Sequence, residues 1–122
     1  MAAGSSGPNV TSFRDVAPLA LMASSIELTR AWVADTLGAL ADDDAQSARH
    51  RETLRVFLSE KGSFKATAEK LTLHKNTVQY RVRRAEEVLG SPVDENRLQI
   101  ELALLACRWL GAAVLQTGPH RP

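Results

Sequence analysis

Between Lys75 and Arg84 the chain reads KNTVQYRVRR, and eight of those ten side chains carry a charged or hydrogen-bonding group. The amides of Asn76 and Gln79 each offer a donor and an acceptor, the pair that an adenine edge presents in the major groove. Thr77 can donate to a phosphate oxygen or pack on a thymine methyl, with local capping as its plainer role. Lys75, at the start of a helix, opposes the positive end of the helix dipole. Local stability does not account for a cation there, whereas phosphate or guanine binding does. Arg83 and Arg84 add charge, and Arg83 points most directly outward. Tyr80 either reaches phosphate or covers the edge of the core. Arg81 lies nearer that edge, where a structural role competes. Upstream, His74 is expected to cap the helix or touch phosphate, and Lys65 is a phosphate candidate on the preceding helix. Glu86 and Glu87 would repel phosphate, so only the first two or three turns are expected to approach it. This is the chemistry of recognition. There is no glycine-rich phosphate loop and no nucleophile–base pair, and the three histidines lack the matched spacing of metal ligands. No catalytic residue, cofactor or metal is expected.

Such groups act together only if one element presents them. Val78, Val82, Ala85 and Leu89 are spaced four, three and four apart, which predicts a helix over about 75–89 with one buried stripe. At 100° per residue, Asn76, Tyr80, Arg83 and Glu87 fall on the opposite side, with Arg84 close by and Gln79 at the flank. Phe64, Ala68 and Leu71 predict a shorter helix before it, and Thr72-Leu73-His74 make the turn. Gly62 and Ser63 stop one helix and cap the next. A polar, basic helix delivered by a short helix and a tight turn suits major-groove reading.

The run from Thr53 to Gly111 resembles the C-terminal helix-turn-helix domain of the PucR family of bacterial transcriptional regulators. The resemblance is carried by Leu54, Arg55, Phe57 and Leu58, then by Ala68, Leu71, Leu73-His74-Lys75-Asn76-Thr77-Val78, Tyr80-Arg81-Val82 and Arg84. It continues in Leu98 and Glu101-Leu102-Ala103-Leu104. The turn also resembles that of the factor for inversion stimulation, over a shorter stretch. Helix-turn-helix proteins often place glycine where Thr72 stands. The resemblance implies a DNA-binding output domain, with an N-terminal sensor domain missing from this chain.

Composition agrees with an all-α fold. Leucine and alanine are abundant, aromatics are few, and runs of β-branched residues are missing. The net charge of 122 residues is only +1, but it is unevenly spread. Residues 49–84 hold ten lysines and arginines against three acids, whereas residues 1–48 hold two against six and residues 85–122 three against five. One basic block between acidic flanks fits a nucleic-acid face. A single cysteine, Cys107, excludes an intrachain disulfide and suits a reducing, cytoplasmic setting. Val16–Ala23 is too short and lacks the basic start of a signal peptide, and no apolar run nears the roughly 20 residues that span a bilayer.

Four segments are expected. Residues 1–12 form a flexible N-terminal segment, with Val10–Phe13 read as a short extended piece. Residues 13–45 form a helical linker or arm, with Asp15 capping a helix through Met22 and Ser24 or Ser25 capping another through about Leu40. Residues 46–111 form the helix-turn-helix domain. Its lead-in helix spans Gln46–Lys61, with Arg49, Arg51 and Arg55 mostly exposed. Its last helix spans Glu95–Leu110, capped by Asp94, with Leu98, Leu102, Leu105 and Trp109 turned inward. Residues 112–122 form a disordered tail. The resulting expectation is a small all-α helical bundle containing a helix-turn-helix, with an N-terminal helical arm. It binds double-stranded DNA, as a homodimer in the intact protein. The rivals are a helical dimerisation or signal-relay module with little DNA binding of its own, and a DNA organiser indifferent to sequence.

Overall fold

A computed structural model describes residues 13–117, and among them the architecture is all-α, without a β-strand. The flexible segment expected at residues 1–12 lies outside the described residues. Six helices follow in chain order: α1 (Phe13–Ala23), α2 (Ile26–Leu37), α3 (Ala45–Ser59), α4 (Phe64–Leu71), α5 (Lys75–Leu89) and α6 (Arg97–Leu110). Short 3-10 turns at Gly38–Ala41, Val93–Asn96 and Gly111–Ala113 join or extend them. The first helix begins at Phe13, so that residue is helical rather than extended and Asp15 lies inside the helix instead of capping it.

The core is drawn from all of α2 to α6 except the exposed faces. Val33 and Leu37 of α2, Leu54 and Leu58 of α3, Val78, Val82 and Ala85 of α5, and Ile100, Ala103 and Leu104 of α6 are all buried. Phe57 and Phe64 stack with ring centroids 4.9 Å apart and fix α3 to α4. The segment expected as an arm is therefore part of the bundle. Its helix α2 packs on α6 and reaches α5, and Leu40 and Ala41 of the following 3-10 turn are buried as well. Asp44 caps α3, accepting from the Ser47 N–H at 2.7 Å.

Three expectations about the C-terminal third are corrected. Helix α6 starts at Arg97 behind Asn96, not at Glu95 behind Asp94. The reason is local: Val93 is buried and its N–H is taken by Glu86 Oε2 at 3.0 Å, so residues 93–96 wind as a 3-10 turn before the helix proper. The inward stripe of α6 is also the other one. Ile100, Ala103, Leu104 and Cys107 face the core, while Leu98 is 63% exposed and Leu102, Leu105 and Trp109 are half-buried at the surface. Both stripes have helical spacing. Packing against α2 and α3 selects the one with the smaller side chains, which permits close helix approach. Finally, residues 112–117 are not a disordered tail. Val114 is buried, the Gln116 N–H donates to Ala41 O at 2.9 Å, and its side-chain amide donates to Gly38 O and Asp42 Oδ1. Residues 118–122 lie outside the described residues.

Candidate nucleic-acid interface

The turn between α4 and α5 is set by backbone hydrogen bonds. The Leu73 N–H donates to Ala68 O at 2.9 Å and the Thr72 N–H to Glu69 O at 3.4 Å, the paired bonds that close a helix through a left-handed residue. That residue is Thr72, at φ 57° and ψ 50°. The chain keeps the left-handed turn although it lacks the glycine that usually accommodates it. Leu73 is half-buried and packs against the core cluster, whereas Leu71, also half-buried, stands outside it. Ser63 starts α4 as read from sequence, its hydroxyl accepting from the Ala66 N–H at 3.0 Å. The entry to α4 carries two left-handed residues, Lys61 and Gly62.

On α5 the buried stripe is Val78, Val82 and Ala85, as its spacing requires, while Leu89, expected in the same stripe, is only half-buried at the end of the helix. The opposite side exposes Lys75, Asn76, Arg83, Arg84 and Tyr80, the last half exposed at 51%. Thr77 and Gln79 are half-buried at the flanks. His74 occupies the cap position of α5 and its carbonyl accepts from the Thr77 and Val78 N–H groups, but its imidazole makes no capping bond and is exposed. Lys65 is exposed near the start of α4.

Two of the arginines have internal partners. Arg81 is half-buried and donates from Nη1 to the buried Thr53 hydroxyl at 3.2 Å, tying α5 to α3. Arg84 pairs with Glu87 at 2.6 Å on the surface. The two acids are thus both occupied, Glu87 by Arg84 and Glu86 by the Val93 N–H.

Helix α3 extends this charge. His50 is buried, and burial lowers its pKa below the usual 6.5, with the positive charges of Arg81, Arg84 and Arg49 adding to the effect. Arg49 is exposed, whereas Arg51 and Arg55 of the same helix turn inward. Arg51 donates to Leu40 O and Asp42 O, inside the fold. Arg55 is half-buried and faces α6.

A short helix, a left-handed turn and a longer helix with a polar, basic outer side make a helix-turn-helix. Residues 50–106 match the family model of the PucR C-terminal helix-turn-helix domain. That segment carries the PucR-type helix-turn-helix pattern. Three relatives bear on it. The chain is 40% identical over 77 residues to an uncharacterised protein in the pkwA 5' region of Thermomonospora curvata, covering 62% of this chain and 43% of that one. It is 34% identical over 76 residues to the transcriptional activator PmfR of Paenarthrobacter nicotinovorans, covering 62% and 16%. It is 32% identical over 81 residues to the purine catabolism regulatory protein of Bacillus subtilis, covering 65% and 15%. The chain spans less than half the length of each of these proteins. No solved structure matches it significantly. Two of these relatives are named as regulators, one of them as a transcriptional activator. Among the described residues no helix is long and apolar enough to cross a membrane.

Proposed function

We propose that this chain is the DNA-binding output domain of a PucR-like transcriptional regulator, reading the major groove of duplex DNA with α5. The observation that carries the reading is the outer side of α5. Asn76, Tyr80 and Arg83 lie exposed along one line, flanked by Lys75 and Gln79, and none of their side chains has a hydrogen bond or ion pair among the described residues. Side chains held out by a rigid helix at its first turns are placed as base-reading groups are. Lys65, His74, Thr77, Arg83 and Arg84 are assigned to the phosphates on either side. Arg81 supports the helix from beneath through Thr53, and its guanidinium contributes charge at the edge. Two copies act together on paired half-sites, and a sensor domain N-terminal to this one governs their geometry in the intact regulator.

Selection of bound duplexes from a random pool tests the reading. A groove-reading domain enriches a defined motif, and pairs of that motif bind best when their centres lie about one helical turn, or a multiple of it, apart. A pool that stays random would favour a sequence-indifferent organiser. No retention of duplex at low salt would remove DNA binding and leave a helical relay module.

A further inference from the structure

The displaced stripe of α6 has a pattern of its own. Leu98, Leu102, Leu105 and Trp109 are spaced four, three and four apart, the alternation of a helix that packs along another helix. In the bundle this stripe faces outward, along a groove whose far wall is Arg55, Leu58 and Ser59 of α3. The apolar surface continues past Leu102 to the α1–α2 elbow, where Leu21 and Leu28 are 75% and 72% exposed. An exposed apolar stripe of this kind, edged by charged side chains, marks a partner site.

Charge identifies the partner. Glu101 and Arg108 each precede a seam residue, Leu102 and Trp109, so both lie on the same flank of the seam, seven residues apart and opposite in sign. In an antiparallel helix pair around a two-fold axis, seam residues meet as Leu102 with Leu105 and Leu98 with Trp109. That register brings Glu101 of each copy opposite Arg108 of the other. Arg108 has no carboxylate partner among the described residues and lies over its neighbour Trp109 at 5.1 Å. Arg55, half-buried beside it, is desolvated and pushed below its ordinary pKa by burial and then by Arg108. A carboxylate arriving at Arg108 relieves that crowding. Glu101 already holds Arg97 at 3.1 Å through one oxygen and keeps the other free for a second contact.

We propose that α6 is a self-complementary dimerisation seam, pairing antiparallel with the α6 of a second copy through Leu98, Leu102, Leu105 and Trp109 and through reciprocal Glu101–Arg108 ion pairs. This rests on the reading of the chain as a DNA-binding domain that acts in pairs, and it names the surface that makes the pair. The seam is compatible with DNA. On α3, Thr53 and Phe57 face α5 and α4, whereas Arg55 and Ser59 line the groove on the other side.

Charge reversal tests the register. Sedimentation equilibrium of the 122-residue chain should show a monomer–dimer equilibrium. E101K and R108E should each weaken it about tenfold, because two attractive contacts per dimer become repulsive. The double variant E101K/R108E should return to within about threefold of the unchanged chain, since both contacts are restored with the signs exchanged. The neutral variants E101Q and R108Q read the same contact without repulsion and should each cost about threefold. A monomer at every concentration overturns the proposal, and so does a dimer indifferent to all four single changes. Single losses that the double variant fails to rescue overturn the antiparallel register. Binding of an isolated half-site by the same variants reads α5 alone and should not change. Its loss with the dimer intact would count against the groove reading and not against the seam.

Discussion

Thr72→Gly should make the domain more stable, although it removes a side chain. Thr72 closes α4 at φ 57°, a conformation in which an L-residue crowds its own Cβ against the backbone. That crowding costs roughly 1–2 kcal/mol, and a β-branched residue lies at the unfavourable end. Glycine escapes it but brings a more flexible unfolded chain, which takes back about 0.5–1 kcal/mol. The Thr72 side chain is exposed and makes no hydrogen bond among the described residues, so little packing is lost. The net expectation is a gain of about 0.5–1 kcal/mol, or roughly 2–5 °C in melting temperature for a domain of this size. Urea unfolding should move its midpoint upward at constant slope. Thr72→Ala keeps the Cβ and should gain less. Lys61, at φ 58°, offers the same test at the entry to α4, and Lys61→Gly should gain a similar amount. If Thr72→Gly destabilises the domain while Lys61→Gly stabilises it, the α4–α5 turn is not left-handed at residue 72, and the direction in which α5 leaves it must be redrawn.

Leu54→Ala should cost about 2–5 kcal/mol because Leu54 is fully buried, while Leu71→Ala should cost well under half of that, with urea denaturation separating the two. Gln116→Ala should lower stability by about 1–2 kcal/mol through loss of its amide bonds to Gly38 O and Asp42 Oδ1, and hydrogen exchange at Asp43 should speed up. His50 gives a pH dependence: its folded pKa lies below 6.5, so the unfolded chain binds more protons as pH falls. Stability attributable to His50 is therefore full above about pH 6.5 and lost as pH falls toward its folded value. Melting curves from pH 7.5 to 5 should show this decline, and His50→Gln should flatten it. A decline unchanged in that variant would place its origin elsewhere.

How much of this is legible in sequence depends on how many stripes a helix offers. Helix α5 has one apolar stripe, Val78, Val82 and Ala85, so its outer side follows from spacing alone, and the exposed set matches. Helix α6 has two, and nothing local to it chooses between Ile100–Leu104–Cys107 and Leu98–Leu102–Leu105–Trp109. That choice is made by α2 and α3, through contacts far away in the chain. The end of the chain shows the same dependence. Val114 and Gln116 carry no periodic signal, yet loop carbonyls at Gly38 and Ala41, freed by the 3-10 turn, give Gln116 its partners. Among the basic residues, charge was legible and destination was not. Arg49 stays exposed, Arg51 binds backbone carbonyls, and Arg81 turns to Thr53. The Thr72 turn was legible as a position, and its backbone geometry came from the hydrogen bonds that close α4.

The most direct measurement of the central claim is a set of binding isotherms for the unchanged chain, Gln79→Ala and Arg83→Ala, on the selected duplex and a scrambled one, across a salt series. Gln79 lies half-buried at the flank of α5, about one turn beyond Lys75, where an amide can reach a base edge. Arg83 is exposed one turn further on, where phosphates are nearer. With α5 in the major groove, Gln79→Ala should cost roughly 1–3 kcal/mol on the selected duplex and little on the scrambled one. Arg83→Ala should weaken both duplexes alike and flatten the slope of log affinity against log salt by about one unit. The reverse pattern, with Gln79→Ala uniform and Arg83→Ala selective, would mean that the helix is rotated in the groove. Binding unchanged in both variants would contradict the claim that this side of α5 meets DNA.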